Sequence, residues 1–200
     1  MPELLLASAN PGKIREYRSL LDGVGYRIVT LADRGMTGVV IESGDSYEQN
    51  ASLKATAHAA SARLVTVADD SGLEVDAIDG EPGVFSARFA GEDATDWDRI
   101  QSLLARLEGI PWEKRTARFK CVIAVATPGG ELELCHGECP GIVTLEPRGA
   151  LGFGYDPVFY LPDLGKTMAE LPLEVKNQVS HRARASATAR QVLKRLIDSD

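Results

Sequence analysis

From Leu64 to Ala68 the chain is a short apolar run with two valines, the pattern of a buried strand, and it leads directly into Asp69-Asp70-Ser71-Gly72. A buried strand that halts at two adjacent carboxylates and a Ser-Gly turn narrows the choice of fold. In an open α/β sheet, ligands collect in the crevice beyond the carboxyl ends of the strands. Two readings are open from this segment alone: the tandem acids hold a cation, or one of them caps the turn, as Asp commonly does.

Other segments repeat the strand-then-helix pattern. Glu3 to Ala7 reads as a strand, and Ser8-Ala9-Asn10-Pro11-Gly12-Lys13 leads into Ile14, Tyr17, Leu20 and Leu21 at helical spacing. Asn10 suits an N-cap and Pro11 the first helical position. A helix start of this kind favours an anion through its amides and dipole, and Lys13 and Ser8 add a charge and a hydroxyl. The Gly-x4-Gly-Lys-Ser/Thr spacing of a P-loop is absent, and an ordinary capped helix with a solvated Lys13 explains the hexamer equally. Arg27 to Leu31 reads as a second strand, and Val39-Val40-Ile41-Glu42 as a short apolar stretch closed by an acid. Ser46 and Gln49 have capping-box spacing and open an Ala-rich helix to about Arg63. On it Tyr47, Asn50 and Lys54 share one face, suited to a cleft or to a solvated edge.

Thr95 or Asp96 caps a helix whose Trp97, Ile100, Leu103, Leu104 and Leu107 form an apolar stripe. Phe119 to Ala126, a turn at Thr127-Pro128-Gly129-Gly130, and Glu131 to Glu138 predict an antiparallel hairpin, with Ile142 to Leu145 a further strand, so the sheet is mixed. Gly149 to Pro157 is dense in Gly and aromatics, which fits either backbone and ring approaching a flat ligand or a bulged strand junction. Thr167 and Glu170 form another capping box, and Leu173 to Ser180 a short helical piece bearing Lys176. Ser180-His181-Arg182 then precedes a last helix packed through Ala189, Val192, Leu193, Leu196 and Ile197. His and Arg at a helix start oppose its dipole unless something negative lies near.

Two hundred residues with 44% hydrophobic content suit one sizeable domain. The net charge of -7 argues against holding nucleic acid polymers or anionic membranes by an overall field. With no signal-like or membrane-length apolar run, the expected location is the cytoplasm. The odd set Cys121, Cys135 and Cys139 reads as reduced, and lacks the second close pair of ligands that structural zinc requires.

Together, Ser8-x-Asn10-x-x-Lys13, Glu42, Asn50 with Lys54, Asp69-Asp70-Ser71-Gly72, Pro82-Gly83-Val84-Phe85-Ser86-Ala87-Arg88, Phe153-Gly154-Tyr155-Asp156-Pro157 and Ser180-His181-Arg182 resemble, in order and spacing, the inosine/xanthosine triphosphate pyrophosphatase family. The resemblance runs from Leu4 to the last helix. It implies an α/β fold, a long mixed sheet with flanking helices and two lobes around a central cleft, in a homodimer. It implies Mg²⁺-dependent hydrolysis of non-standard purine nucleoside triphosphates (ITP, dITP, XTP) to monophosphate and pyrophosphate. Matched residue by residue, Ser8, Ala9, Asn10, Pro11, Gly12 and Lys13 would hold the triphosphate, with Lys54 a further phosphate contact. Asp70 would be general base and metal contact, Glu42 a second metal carboxylate, and Asp69 their support. Ser71, Phe153, Gly154, Tyr155, Asp156, Lys176, His181 and Arg182 would line the nucleotide pocket. One departure is Ala183, where the family usually has Gly after Ser-His-Arg.

The chemistry agrees on its own terms. Phosphoanhydride hydrolysis needs phosphate charge neutralised, a water activated and the leaving pyrophosphate stabilised. Mg²⁺ is commonly held by one or two carboxylates plus substrate phosphates. A buried N–H of His181 or Arg182 would donate to a purine's keto oxygen and be left unpaired by adenine. Rival readings are a Maf-like pyrophosphatase of pyrimidine or modified nucleotides, and a nucleotide sensor without turnover.

Overall fold

The computed structural model describes residues 1–38 and 40–198. Five helices flank one seven-stranded sheet. β1 (Glu3–Leu6), α1 (Pro11–Leu20), β2 (Arg27–Thr30), α2 (Tyr47–Ala62) and β3 (Val65–Val75) come first; α3 (Asp96–Arg106), β4 (Thr116–Ala126), β5 (Leu132–Val143), β6 (Phe159–Leu161), β7 (Lys166–Thr167), α4 (Leu173–Val179) and α5 (His181–Asp198) follow. The sheet order is β2-β1-β3-β4-β5-β6-β7. β1 is parallel to both β2 and β3, whereas β5, β6 and β7 pair antiparallel, so the sheet is mixed. No described helix is long and apolar enough to cross a membrane.

The chain divides into two compact units, each built from more than one segment. The first comprises residues 1–70, 121–137 and 182–200, and the second residues 71–120 and 138–181. In the first, Leu4, Leu6, Val67 and Ile123 pack with Tyr17 and Leu193 of α1 and α5. Ala51, Ala55 and Ala59, all buried, recur every four residues along α2, and such small side chains permit close helix packing. In the second, Leu73, Phe119 and Phe159 pack with Leu103 of α3, with Leu107 just after it and with Met168. Burying one Leu of this kind stabilises the fold by roughly 2 kcal/mol before chain entropy is counted.

Several local expectations change. The strand that begins at Val65 does not end at the acids: β3 continues through Asp69-Asp70-Ser71-Gly72 to Val75. What ends there is its pairing with β1, whose last partner is Val67, followed by a bond from the Ala7 N–H to the Val67 carbonyl at 2.8 Å. Ile142 to Leu145 is not a separate strand, because β5 runs unbroken to Val143. The Thr167/Glu170 box closes only a single 3-10 turn, Met168–Glu170. Trp97 is 59% exposed and stands outside the α3 stripe. Of the stretch Val39-Val40-Ile41-Glu42, Val39 lies outside the described residues, while Ile41 and Glu42 belong to neither helix nor strand.

Candidate active site

α1 opens as its sequence predicts. The Asn10 side chain accepts from the Lys13 N–H at 3.1 Å, Ser8 Oγ accepts from the Asn10 N–H at 3.2 Å, and Pro11 is the first helical residue. Pro11 has no N–H and that of Lys13 is taken by the cap. The dipole and the Lys13 ammonium, rather than a fan of three amides, are therefore what this turn offers an anion.

The Lys13 ammonium lies 2.9 Å from Asp69 Oδ2, a carboxylate buried in β3. The Arg182 guanidinium, on the first turn of α5, lies 3.7 Å from the same oxygen and 3.2 Å from Glu16 Oε2. Burial alone would push the Asp69 carboxyl up, but Lys13 and Arg182 outweigh it and hold it at about 2. The positive charge that opposes the α5 dipole is thus answered by two protein carboxylates.

Asp70 has different surroundings. Its Oδ2 accepts from the Asn50 amide at 3.0 Å, and Asn50 Oδ1 accepts from the Gly44 N–H at 2.9 Å. Gly44 is required by close approach, since a Cβ there would lie 2.6 Å from Gln49 Cβ and 2.8 Å from Asn50 Oδ1. Burial pushes the Asp70 carboxyl above the usual range, with the like charge of Glu42 adding to it, against the opposing pull of Lys54, Lys13 and the Asn50 hydrogen bond. Successive strand residues face opposite sides of a sheet. Asp69 accordingly meets cations from α1 and α5, and Asp70 meets α2.

Glu42 Oε2 and the Lys54 ammonium form an ion pair of 3.1 Å. Tyr47, Asn50 and Lys54 share a face of α2, and Tyr47 and Asn50 are buried, so this face is not a solvated edge. α2 starts at Ser46, whose side chain accepts from the Gln49 N–H, while Gln49 Oε1 accepts from the Asp45 N–H, one residue before the cap. Among the described residues no three His, Cys, Asp or Glu side chains gather as a metal centre. The oxygen pair Glu42 and Asp70 nevertheless suits a hard divalent cation that takes further oxygens from water and phosphate. The Lys54 charge acts on both acids.

In the second unit, Phe153 to Asp156 and Lys176 come together. Asp156 Oδ2 accepts from the Phe153 N–H at 2.9 Å and from the buried Lys176 ammonium, which lies 5.0 Å from the Phe153 ring centroid. Gly152 is required by its φ of +78° and by Asp156 Oδ2, which a Cβ would meet at 2.0 Å. Tyr155 is buried and donates its hydroxyl to the Ser86 carbonyl at 2.9 Å, so it supports the wall instead of offering a free ring. Ser86 Oγ in turn accepts from the Leu73 N–H at 2.9 Å, two residues beyond Ser71. The His181 ring stacks on Phe119 with centroids 4.6 Å apart and planes 15° apart.

Three contacts, the first two bearing on site residues and the third on the end of α3, have no clear local signal in the sequence. Glu16 is buried against Arg182; its only local signal is an acid one helical turn after Lys13. Asp96, at the start of α3, accepts from the Gly154 N–H at 2.7 Å and so grips the aromatic loop. Arg115 donates to the carbonyls of Leu107, Ile110 and Thr144 at 2.7, 3.0 and 2.9 Å.

Parallel pairing of β1 with β2 and β3, antiparallel pairing from β5 to β7, and two adjacent acids beside cationic helix residues define the class, an α/β protein with a mixed sheet and a charged site. Residues 4–192 match the Ham1 family model, and the chain belongs to that family. It is 46% identical to a dITP/XTP pyrophosphatase of Bacillus subtilis, over 92% of this chain and 93% of that one, and 49% identical to one of Geobacter sulfurreducens, over 94% of each. Among solved structures, a HAM1 protein from Coxiella burnetii superposes with a TM-score of 0.87 at 40% identity, over 98% of this chain and 100% of that one.

Proposed function

We propose that this chain hydrolyses non-standard purine nucleoside triphosphates, of the dITP and XTP kind, to the monophosphate and pyrophosphate. The observation that carries the reading is the first unit's cluster, in which Glu42 and Asp70 stand with Lys54 beside Lys13 and its buried partner Asp69. Its identity to curated dITP/XTP pyrophosphatases over nearly the full length supplies the substrate class. Residues 1–200 would act as one catalytic domain of two lobes, working as a cytoplasmic homodimer.

In this reading Glu42 and Asp70 hold a divalent cation, Mg²⁺ in the cell. When bound, such a cation screens the phosphates and lowers the pKa of a coordinated water. Asp70, kept in place by Asn50, accepts the proton of the attacking water. Ser8 to Lys13 and Lys54 bind the phosphate chain, and Asp69 keeps Lys13 in place. Ser71, Phe153 to Asp156 and Lys176 serve the nucleoside. Arg182, held by Glu16 and Asp69, and His181, held flat on Phe119, are both rigid, as a donor must be if it is to reject a base that cannot accept from it.

A panel of triphosphates assayed for pyrophosphate with and without Mg²⁺ tests reaction, metal and substrate together. Rapid cleavage of dITP and XTP only with the metal is expected. Preference for dTTP or UTP would move the chain to the pyrimidine or modified-nucleotide reading. Asp70→Asn is expected to lower turnover by at least 10²-fold while nucleotide binding survives, in line with the loss of a general base; unchanged turnover would remove Asp70 from its role.

A further inference from the structure

The pair between Glu42 and Lys54 has a consequence for the order in which this site fills. Lys54 belongs to a regular helix and its side chain is only 13% exposed, whereas the side chain of Glu42 is 40% exposed on a segment outside helix and strand. The ammonium is therefore the fixed member and the carboxylate the one that comes to it. With an oxygen of Glu42 3.1 Å from Lys54, the carboxylate that a cation would need is paired with an ammonium of this chain.

We propose that Lys54 is an internal competitor for the cation site, so that Glu42 is released to a divalent metal only when an anionic phosphate takes over Lys54. This rests on the reading of Glu42 and Asp70 as the metal carboxylates. The physical argument has two parts. A dication bound by Glu42 must displace the ammonium and then tolerate its positive charge close by, which lowers its affinity. A largely buried ammonium that loses Glu42 keeps only the more distant charges of Asp69 and Asp70, of which Asp69 is paired with Lys13 and Asp70 would itself be engaged by the metal. A triphosphate relieves both difficulties by giving Lys54 a new anionic partner. Metal and triphosphate consequently bind with positive coupling, and by linkage each raises the other's affinity by the same factor. His58, one helical turn further along α2, feels the Lys54 charge as well, and its pKa is lowered chiefly by burial and then by that charge; it supplies no alternative anion. A metal held weakly until substrate arrives would make Lys54 a determinant of the cation requirement, in addition to any phosphate contact.

The test is Mn²⁺ binding to the full-length, nucleotide-free protein, followed by the electron paramagnetic resonance signal of free Mn²⁺. Mn²⁺ takes the same oxygen ligands as Mg²⁺. Lys54→Met keeps the helix propensity and the length of the side chain while removing its charge. It is expected to tighten Mn²⁺ binding by about tenfold, the effect of a ~1.4 kcal/mol difference. Lys54→Gln should do the same, and the gain should vanish in Glu42→Gln/Lys54→Met. Unchanged or weaker binding in both Lys54 variants, with circular dichroism showing them folded, overturns the proposal, as does failure of either to bind Mn²⁺ at millimolar concentration. If Mn²⁺ binds but is indifferent to Glu42→Gln and Asp70→Asn, it is the assignment of the metal carboxylates that fails.

Discussion

Asp69 and Asp70 show how far adjacent identical residues can diverge. Asp69 is an anchor for Lys13 and Arg182, and removing one member of such a buried set leaves uncompensated charge at a cost of about 3–5 kcal/mol. Arg182→Met should therefore lower the urea midpoint sharply, and Arg182→Met combined with Glu16→Gln should recover part of the loss; equal midpoints for single and double variants would argue against the pair. His58 gives a pH signature. Burial, and then Lys54, lowers its folded pKa below 6.5, so its contribution to stability is present above pH 6.5 and is lost as pH falls through the folded value. His58→Asn should flatten the urea-denaturation midpoint as pH falls below 6.5, where the parent chain declines. The sequence disclosed both acids and Lys13, because their types and local spacing carry the signal. Glu16 was hidden for the opposite reason: its partner Arg182 lies 166 residues away and leaves no periodicity behind.

At the scale of elements, starts were more legible than stops. The α1 cap, the α2 cap and the Thr95/Asp98 box of α3 follow from side chains that satisfy the first amides within three residues. β3 outruns its sequence signal because Asp, Ser and Gly are poor strand formers in isolation, whereas burial on both faces and pairing with β4 override that preference. The end of α3 depends on a distant arginine. Arg115 donates to the carbonyls of Leu107 and Ile110 just past the helix, where carbonyls without a helical partner and the negative end of the dipole welcome a cation. Arg115→Met should destabilise by roughly 3 kcal/mol in urea unfolding, the cost of orphaning buried acceptors, and Arg115→Lys should restore only a minor part because it lacks the fork of donors. A loss below about 1 kcal/mol would mean that water replaces the guanidinium.

Across the whole molecule, Cys121, Cys135 and Cys139 report on cohesion. All three are buried and outside any disulfide, and burial raises the Cys121 thiol to about 12 and that of Cys135 to about 11. Reaction with a thiol reagent at pH 8 should be negligible in the native protein and should follow its unfolding; a fast native phase would show a thiol exposed by local opening. Neither compact unit is a single stretch of chain, so excision of residues 71–120 alone should yield an unfolded peptide by circular dichroism. The family motifs made the whole-molecule class readable from sequence, but the continuity of β3 was not, and that continuity matters beyond the architecture. Along an unbroken strand a side chain's role is a question of parity: odd positions such as Val67 and Asp69 share one side, even ones such as Ala68 and Asp70 the other. Substitution alters one letter, but inserting or deleting a single residue between Val65 and Asp70 exchanges the sides of the two acids. Over evolutionary time this segment can drift in composition far more readily than in length.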